Sequence, residues 1–208
     1  MYSYLLNKEL RNELRAYCEE KILLLQKEVS EYFTFSFKLI GSGDNRLMTI
    51  NGNKKSIDLD YNIVIQRDKK QLVGKPEQIK KIFMRVFKDV CGRDTKVSDS
   101  TQVITCKVGK IDGYDFSFDI AIFVEGNDGF IYKLINDKKT IPSRYIWNRI
   151  PSSKDFNFKF SYLKRNGHWE DIKSLYLKKK NLYLTRGSDK TSFSILIETV
   201  NEIIQKMG

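Results

Sequence analysis

The chain has 208 residues, 41% hydrophobic and 30% charged, with 12 Gly and 3 Pro. This composition excludes disordered, collagen-like and low-complexity proteins and suffices for a buried core without covalent staples. Its 37 Lys and Arg against 26 Asp and Glu leave +11, which permits a polyanionic partner without requiring one.

Leu6, Leu10, Leu14 and Tyr17, then Leu24, Leu25 and Val29, recur at helical spacing and predict a long amphipathic helix from about Leu5 to Tyr32. Phe33 to Ile40 is aromatic and β-branched enough for a strand that stops at Gly41-Ser42-Gly43. After an Asn51-Gly52-Asn53 turn, Ile57, Leu59, Tyr61, Ile63 and Ile65 alternate with Asp58, Asp60, Asn62 and Val64, so Ser56 to Gln66 reads as a strand with two unlike faces. Pro76 opens a helix from Glu77 to about Cys91 whose apolar side would cover a sheet. Val103–Val108 and Tyr114–Val124 are two strands joined through Asp112-Gly113, and Phe130 to Leu134 adds another. Beyond Pro142 the signals become helical and irregular by turns, with the clearest helix from about Trp169 to Asn181 and a last one from about Ser192 to Lys206. The stretch from Thr140 to Lys154, with two prolines, is the expected seam.

Three cysteines are too few for a disulfide framework, and Cys18, Cys91 and Cys106 lie far apart with no Cys-x-x-Cys pair, which leaves neither a zinc ribbon nor a redox motif. No apolar run approaches the roughly 20 residues that cross a bilayer, and no signal-like leader opens the chain, so a soluble, cytoplasmic protein is expected. The positive charge is regional: Ile131 to Lys180 holds 13 Lys or Arg and 4 Asp or Glu, interleaved with nine aromatics, a mixture that serves phosphates and bases together or simply solvates a basic face.

Asp58 and Asp60 project from the same strand face. Two adjacent carboxylates on an otherwise apolar strand repel one another unless a cation lies between them. Magnesium suits such a pair, since it takes oxygen ligands and keeps positions for water and substrate phosphates. Asp119, between Phe118 and Ile120 in a second apolar strand, would complete a triad if the strands are neighbours. Two metals roughly 3.5–4 Å apart would then share the acids. An EF-hand starting at Asp58 fails, because its sixth and twelfth positions are Ile63 and Lys69. Gly41-Ser42 places free backbone N–H groups and a hydroxyl where a phosphate can be cradled, although a bare Gly-Ser after a strand is also an ordinary turn. His168 is the only histidine, which removes histidine-based triads.

Gly41-Ser42 at a strand end, then Asp58-Leu59-Asp60, then Asp119 in Phe-Ser-Phe-Asp-Ile-Ala-Ile-Phe, resembles the DNA polymerase β-like nucleotidyltransferase superfamily over about Phe33 to Val124. The resemblance implies an α+β fold with a mixed sheet, a long N-terminal helix and a helical C-terminal part. It also implies two Mg²⁺ ions (Mn²⁺ as a substitute) on Asp58, Asp60 and Asp119, and transfer of a nucleoside monophosphate from an NTP with release of pyrophosphate. More weakly, Lys173 and Ser192-Phe193 resemble the triphosphate and base contacts of the cyclic GMP-AMP synthase and oligoadenylate synthase branch. Residues 1–140 are then expected to form the catalytic core, and residues 141–208 a basic, mainly helical part packed on it. The donor would be ATP or GTP and the acceptor a nucleotide or RNA. The alternative is a catalytically silent module of this fold that binds RNA or nucleotide through its basic C-terminal half. An aminoglycoside acceptor is disfavoured, because that cation would meet a basic half.

Overall fold

The computed structural model describes residues 1–44, 47–52, 55–138, 144–151, 154–184, 187–188 and 190–207, and the side chains of Ser42, Asp44 and Lys154 fall outside the described set. In chain order the elements begin β1 (Tyr2–Tyr4), α1 (Lys8–Glu28), β2 (Phe33–Ile40), α2 (Gly41–Asp44), β3 (Thr49–Asn51), β4 (Ser56–Asp68) and α3 (Pro76–Cys91). They continue β5 (Lys96–Asp99), β6 (Ile104–Ile111), β7 (Tyr114–Glu125), β8 (Ile131–Asp137), β9 (Arg144–Arg149), α4 (Lys154–Arg165), α5 (Trp169–Leu184) and α6 (Ser192–Met207). Two units form, each discontinuous in sequence: Asn7–Ile40 with Ser56–Pro151, and Met1–Leu6 with Gly41–Lys55 and Ser152–Gly208.

The first unit is built on a mixed sheet. Strand β4 pairs antiparallel with β2 and parallel with β7; β7 pairs antiparallel with β6 along Tyr114–Ile120 and with β8 at Phe123–Glu125. Strand β5 extends β6, and β9 extends β8. The two-residue period of β4 puts Ile57, Leu59, Tyr61 and Ile63 on a buried face, level with Phe116, Phe118 and Ile120 of β7. Helices α1 and α3 cover that face through Leu14, Cys18 and Ile22 and through Phe83 and Phe87. Phe87 meets Phe118 edge-on at 5.4 Å, and Phe33 stacks on Phe83 at 5.7 Å. Each such side chain contributes about 1.5–3 kcal/mol by leaving water, so apolar burial sets which way β4 and β7 face.

The expected helix from Leu5 is shorter than its periodicity, because the Asn7 side chain accepts from Leu10 N at 3.1 Å and caps α1 one residue before Lys8. The expected turn at Asp112-Gly113 is present, with φ of 52° and 79° at its two residues, the positive pair that a type I′ hairpin needs. Strand β9 corrects the reading of the region after Pro142: Arg144–Arg149 completes the sheet instead of opening the helical part. Residues 139–143, 152–153 and Asn53 lie outside the described residues, and the contacts divide the chain elsewhere than at 140/141. A buried ion pair fixes β9: Lys80 of α3 lies 2.6 Å from Asp99 of β5, and Tyr145 of β9 donates to the other Asp99 oxygen at 2.5 Å. The Trp147 indole donates to the Val73 carbonyl at 2.7 Å.

In the second unit, β1 pairs antiparallel with β3, Tyr4 opposite Thr49. Helices α4, α5 and α6 enclose a core of Phe160, Leu163, Ile172, Tyr176, Ile195 and Val200 that also takes in Leu47. Buried Lys180 donates to Thr49 Oγ1 at 2.6 Å and lies 5.0 Å from the Tyr2 ring centroid. Helices α5 and α6 match the sequence expectation to within a few residues, whereas α4 was read only as irregular helical signal. Among the described residues no helix is long and apolar enough to cross a membrane.

Burial holds the Lys80 ammonium below its ordinary pKa, against the opposing pull of Asp99. Asp99→Ala leaves that cation buried without its carboxylate and is expected to cost about 3 kcal/mol in urea unfolding at neutral pH. Since a depressed lysine binds fewer protons folded than unfolded, part of the loss is recovered as pH rises toward about 10. A loss that is independent of pH would contradict this account.

Candidate active site

On the face of β4 and β7 turned away from α1 and α3, the parallel register sets Asp60 beside Asp119 and Asp58 beside Ser117. The parity that buries Leu59 and Phe118 on one side therefore collects Asp58, Asp60 and Asp119 on the other. Asp58 is exposed, and Asp60 and Asp119 are partly buried. Asp115 has the same parity but is exposed and pairs with Ser56, at the far end of the ladder.

The surroundings of these acids involve residues that the sequence did not single out. The Ser117 hydroxyl donates a short hydrogen bond to Asp58. The Thr105 hydroxyl, directly across from Asp119 on β6, donates to the Asp119 carboxylate. Lys133 of β8 pairs with Phe123, an even number of residues from Asp119, and so shares its face. Its ammonium donates to Gln102 at 3.0 Å and interacts electrostatically with Asp60 and Asp119. Ser117 was within reach of a parity argument, two residues before Asp119. Thr105 and Lys133 are separated from it in sequence, and only strand pairing brings them in.

Burial is the main reason that the Asp119 carboxyl is raised to about 6, with the charges of Asp60 and Asp58 adding to the shift and Thr105 and Lys133 opposing it. Lys133 is pushed down by its own burial and supported by Asp60 and Asp119. Among the described residues no three His, Cys, Asp or Glu side chains are gathered closely enough to hold a metal ion. The carboxylates repel one another in the bare protein, and Asp58 takes the Ser117 hydroxyl instead. The donor set nevertheless fits a hard divalent cation: its acids are all oxygen donors, they share one face of adjoining strands, and their mutual repulsion is what such an ion neutralises.

The remaining candidates belong to the second unit. Gly41 follows Ile40, the register partner of Asp60, and takes φ of 65°, a left-handed conformation that glycine adopts at little cost. With Ser42 it opens the short helix α2, and the Ser42 side chain lies outside the described residues. Lys173 on α5 is ion-paired with Glu170 one turn earlier at 2.8 Å, and its carbonyl accepts from the Tyr4 hydroxyl at 2.7 Å. Ser192 is the first residue of α6, and Phe193, 41% exposed, sets its ring edge-on to Phe156 at 5.2 Å.

Set beside solved structures, the chain superposes on Vibrio cholerae DncV in its 3′-deoxy ATP bound form with a TM-score of 0.66 at 11% identity, over 94% of this chain and 67% of that one. The chain carries the polymerase β-like nucleotidyltransferase fold. DncV cyclic AMP-GMP synthase with the linear intermediate 5′ pppA(3′,5′)pG gives 0.63 at 12% identity, and with nonhydrolyzable GTP 0.66 at 12%, both over the same shares of the two chains. The chain thus spans about two thirds of the length of DncV, and at this identity it is the fold that is shared. No protein-family model and no curated protein matches the sequence.

An Asp held near 6 in the folded state and near 3.9 when unfolded binds more protons in the native protein between those values, so its contribution to stability falls as pH rises from about 4 to 6. In metal-free buffer Asp119→Asn is expected to be about 1–2 kcal/mol more stable than wild type at pH 7.5 and to lose that advantage by pH 4. Thermal unfolding across that range, with parallel curves for the two proteins as the contrary result, decides it.

Proposed function

We propose that the protein is an NTP-dependent nucleotidyltransferase that uses Mg²⁺ to move a nucleoside monophosphate onto a hydroxyl acceptor. The observation that carries this reading is the in-register pairing of Asp60 with Asp119, with Asp58 two residues before Asp60 on the same face, in a fold shared with nucleotide-bound DncV structures. Asp58, Asp60 and Asp119 are the residues that would hold two divalent ions. When bound, those ions neutralise triphosphate charge and favour the ionised acceptor hydroxyl.

In the transfer, the acceptor oxygen attacks the α-phosphorus, the bond from that phosphorus to the bridging oxygen of the β-phosphate breaks, and pyrophosphate leaves with the bond pair. The hydroxyl proton passes to Asp119, which in the metal-free protein is raised to about 6 by burial and by the charges of Asp60 and Asp58 and is still ionised at neutral pH. Thr105 orients that carboxylate, and Ser117 orients Asp58. The backbone of Gly41 and Ser42 is assigned to the triphosphate, Lys173 and Ser192 to further phosphate contacts, and Phe193 to stacking on the base. Lys173 gives up an exposed pair with Glu170 for this, and such pairs contribute less than about 1 kcal/mol.

The test is incubation with each α-labelled NTP in Mg²⁺ or Mn²⁺, separating free nucleotide, protein-linked and RNA-linked label, with a thermal-shift measurement alongside. Wild type is expected to release pyrophosphate and to gain melting temperature with NTP plus metal. Asp58→Ala with Asp60→Ala should lose at least about a hundredfold in turnover, on the order of 3 kcal/mol of transition-state stabilisation, and lose the thermal shift. Equal responses of the two proteins would overturn the assignment. If wild type is inert while still binding RNA, the silent-module reading takes its place.

A further inference from the structure

Helix α4 carries two large rings that its own packing leaves in water. Phe160 and Leu163 turn into the helical core, but Phe158 is 73% exposed and Tyr162 is 44% exposed. They are four residues apart and so stand one above the other on one side of the helix. Arg165, exposed, lies seven positions beyond Phe158, so in helical register the rings run toward a cationic position on the same side of the helix. The helix holds four Lys or Arg against the single acid Asp155, and Lys159 already occupies that acid at 2.8 Å.

From this arrangement we infer that α4 is a docking strip for single-stranded nucleic acid, with successive bases laid on Phe158 and Tyr162 and the backbone drawn to Arg165. Exposed aromatics serve any base through its π-face, and adjacent cations hold the phosphates. Charge selects this occupant over a second copy of the chain, since two such helices face to face would set like charges together. Spacing selects a single strand over a duplex: the rings are about 6 Å apart along the helix axis, wider than the ~3.4 Å rise between stacked nucleotides of a duplex strand. A strand with splayed bases meets that spacing.

The strip lies wholly in the second unit and does not depend on the transfer chemistry, so the two readings fail separately. Fluorescence anisotropy with labelled 12-nucleotide RNA and DNA of one sequence, and the matching duplexes, at 50 and 200 mM salt, tests it. Wild type is expected to bind the single strands more tightly than the duplexes and to weaken with salt. Phe158→Ala with Tyr162→Ala should lose at least about tenfold in affinity, each ring carrying one base. Tyr162→Phe should bind as wild type, and Arg165→Gln should flatten the salt dependence. Asp58→Ala with Asp60→Ala should leave binding intact, and the RNA and DNA arms report which sugar is preferred. Because both rings are exposed, the double variant should keep its circular dichroism and melting temperature. Equal affinity of wild type and double variant, tighter binding of duplex, absence of binding by folded wild type, or ring-dependent self-association without binding would each overturn the inference.

Discussion

The parallel pairing of β4 with β7 is the constraint on which the rest of the site depends. A slip of one residue would send every side chain of one strand to the opposite face, turning Asp58 and Asp60 into the layer under α1 and α3 and Leu59 into water. Apolar packing holds the register: Leu59 sits opposite Phe118, Phe118 meets Phe87 and Tyr17, and the face they build is almost dry. The acids do not attract one another into place. They are carried there by the hydrophobic alternation of their neighbours, and the cost that remains is the raised Asp119 carboxyl, pushed up first by burial and then by the charges of Asp60 and Asp58.

The same sheet supplies partial remedies for that cost. Ser117 and Thr105 donate hydroxyls to Asp58 and Asp119, and Lys133 brings a cation into the field of Asp60 and Asp119. None removes the repulsion, since a hydroxyl adds no charge and Lys133 is itself disfavoured by burial. Repulsion of this kind is what a divalent cation would neutralise, which is the physical basis for the proposed nucleotidyl-transfer site.

The second unit is organised differently. Its core is made by three helices and Leu47, and its outer surface is held by lysines paired one turn away or between α5 and α6, as Lys179 pairs with Glu202 at 2.8 Å. Many of its aromatics are structural: Phe160 and Tyr176 are buried, and Phe156 stacks on Phe160 at 5.5 Å. The regional charge seen in the sequence therefore resolves into a minority of rings that face water. Phe158 and Tyr162 stand out by exposure, which composition alone does not reveal.

By itself the sequence determined the strand character of β2, β4, β6 and β7, the Asp112-Gly113 hairpin, the helices α1, α3, α5 and α6, and the shared face of Asp58 and Asp60, because alternation, helical spacing and turn chemistry are local. The motif around Asp119 was legible for the same reason, but its place beside Asp60 was not, since pairing partners are chosen by burial over more than fifty residues of chain. Only the tertiary structure decided that Thr105 and Lys133 join the acids, that Arg144–Arg149 closes the sheet, and that the segment after Ile40 is grouped with the C-terminal helices. Those facts rest on long-range contacts whose energy comes from removing apolar surface from water. No short window of residues encodes which distant surface will be the one removed.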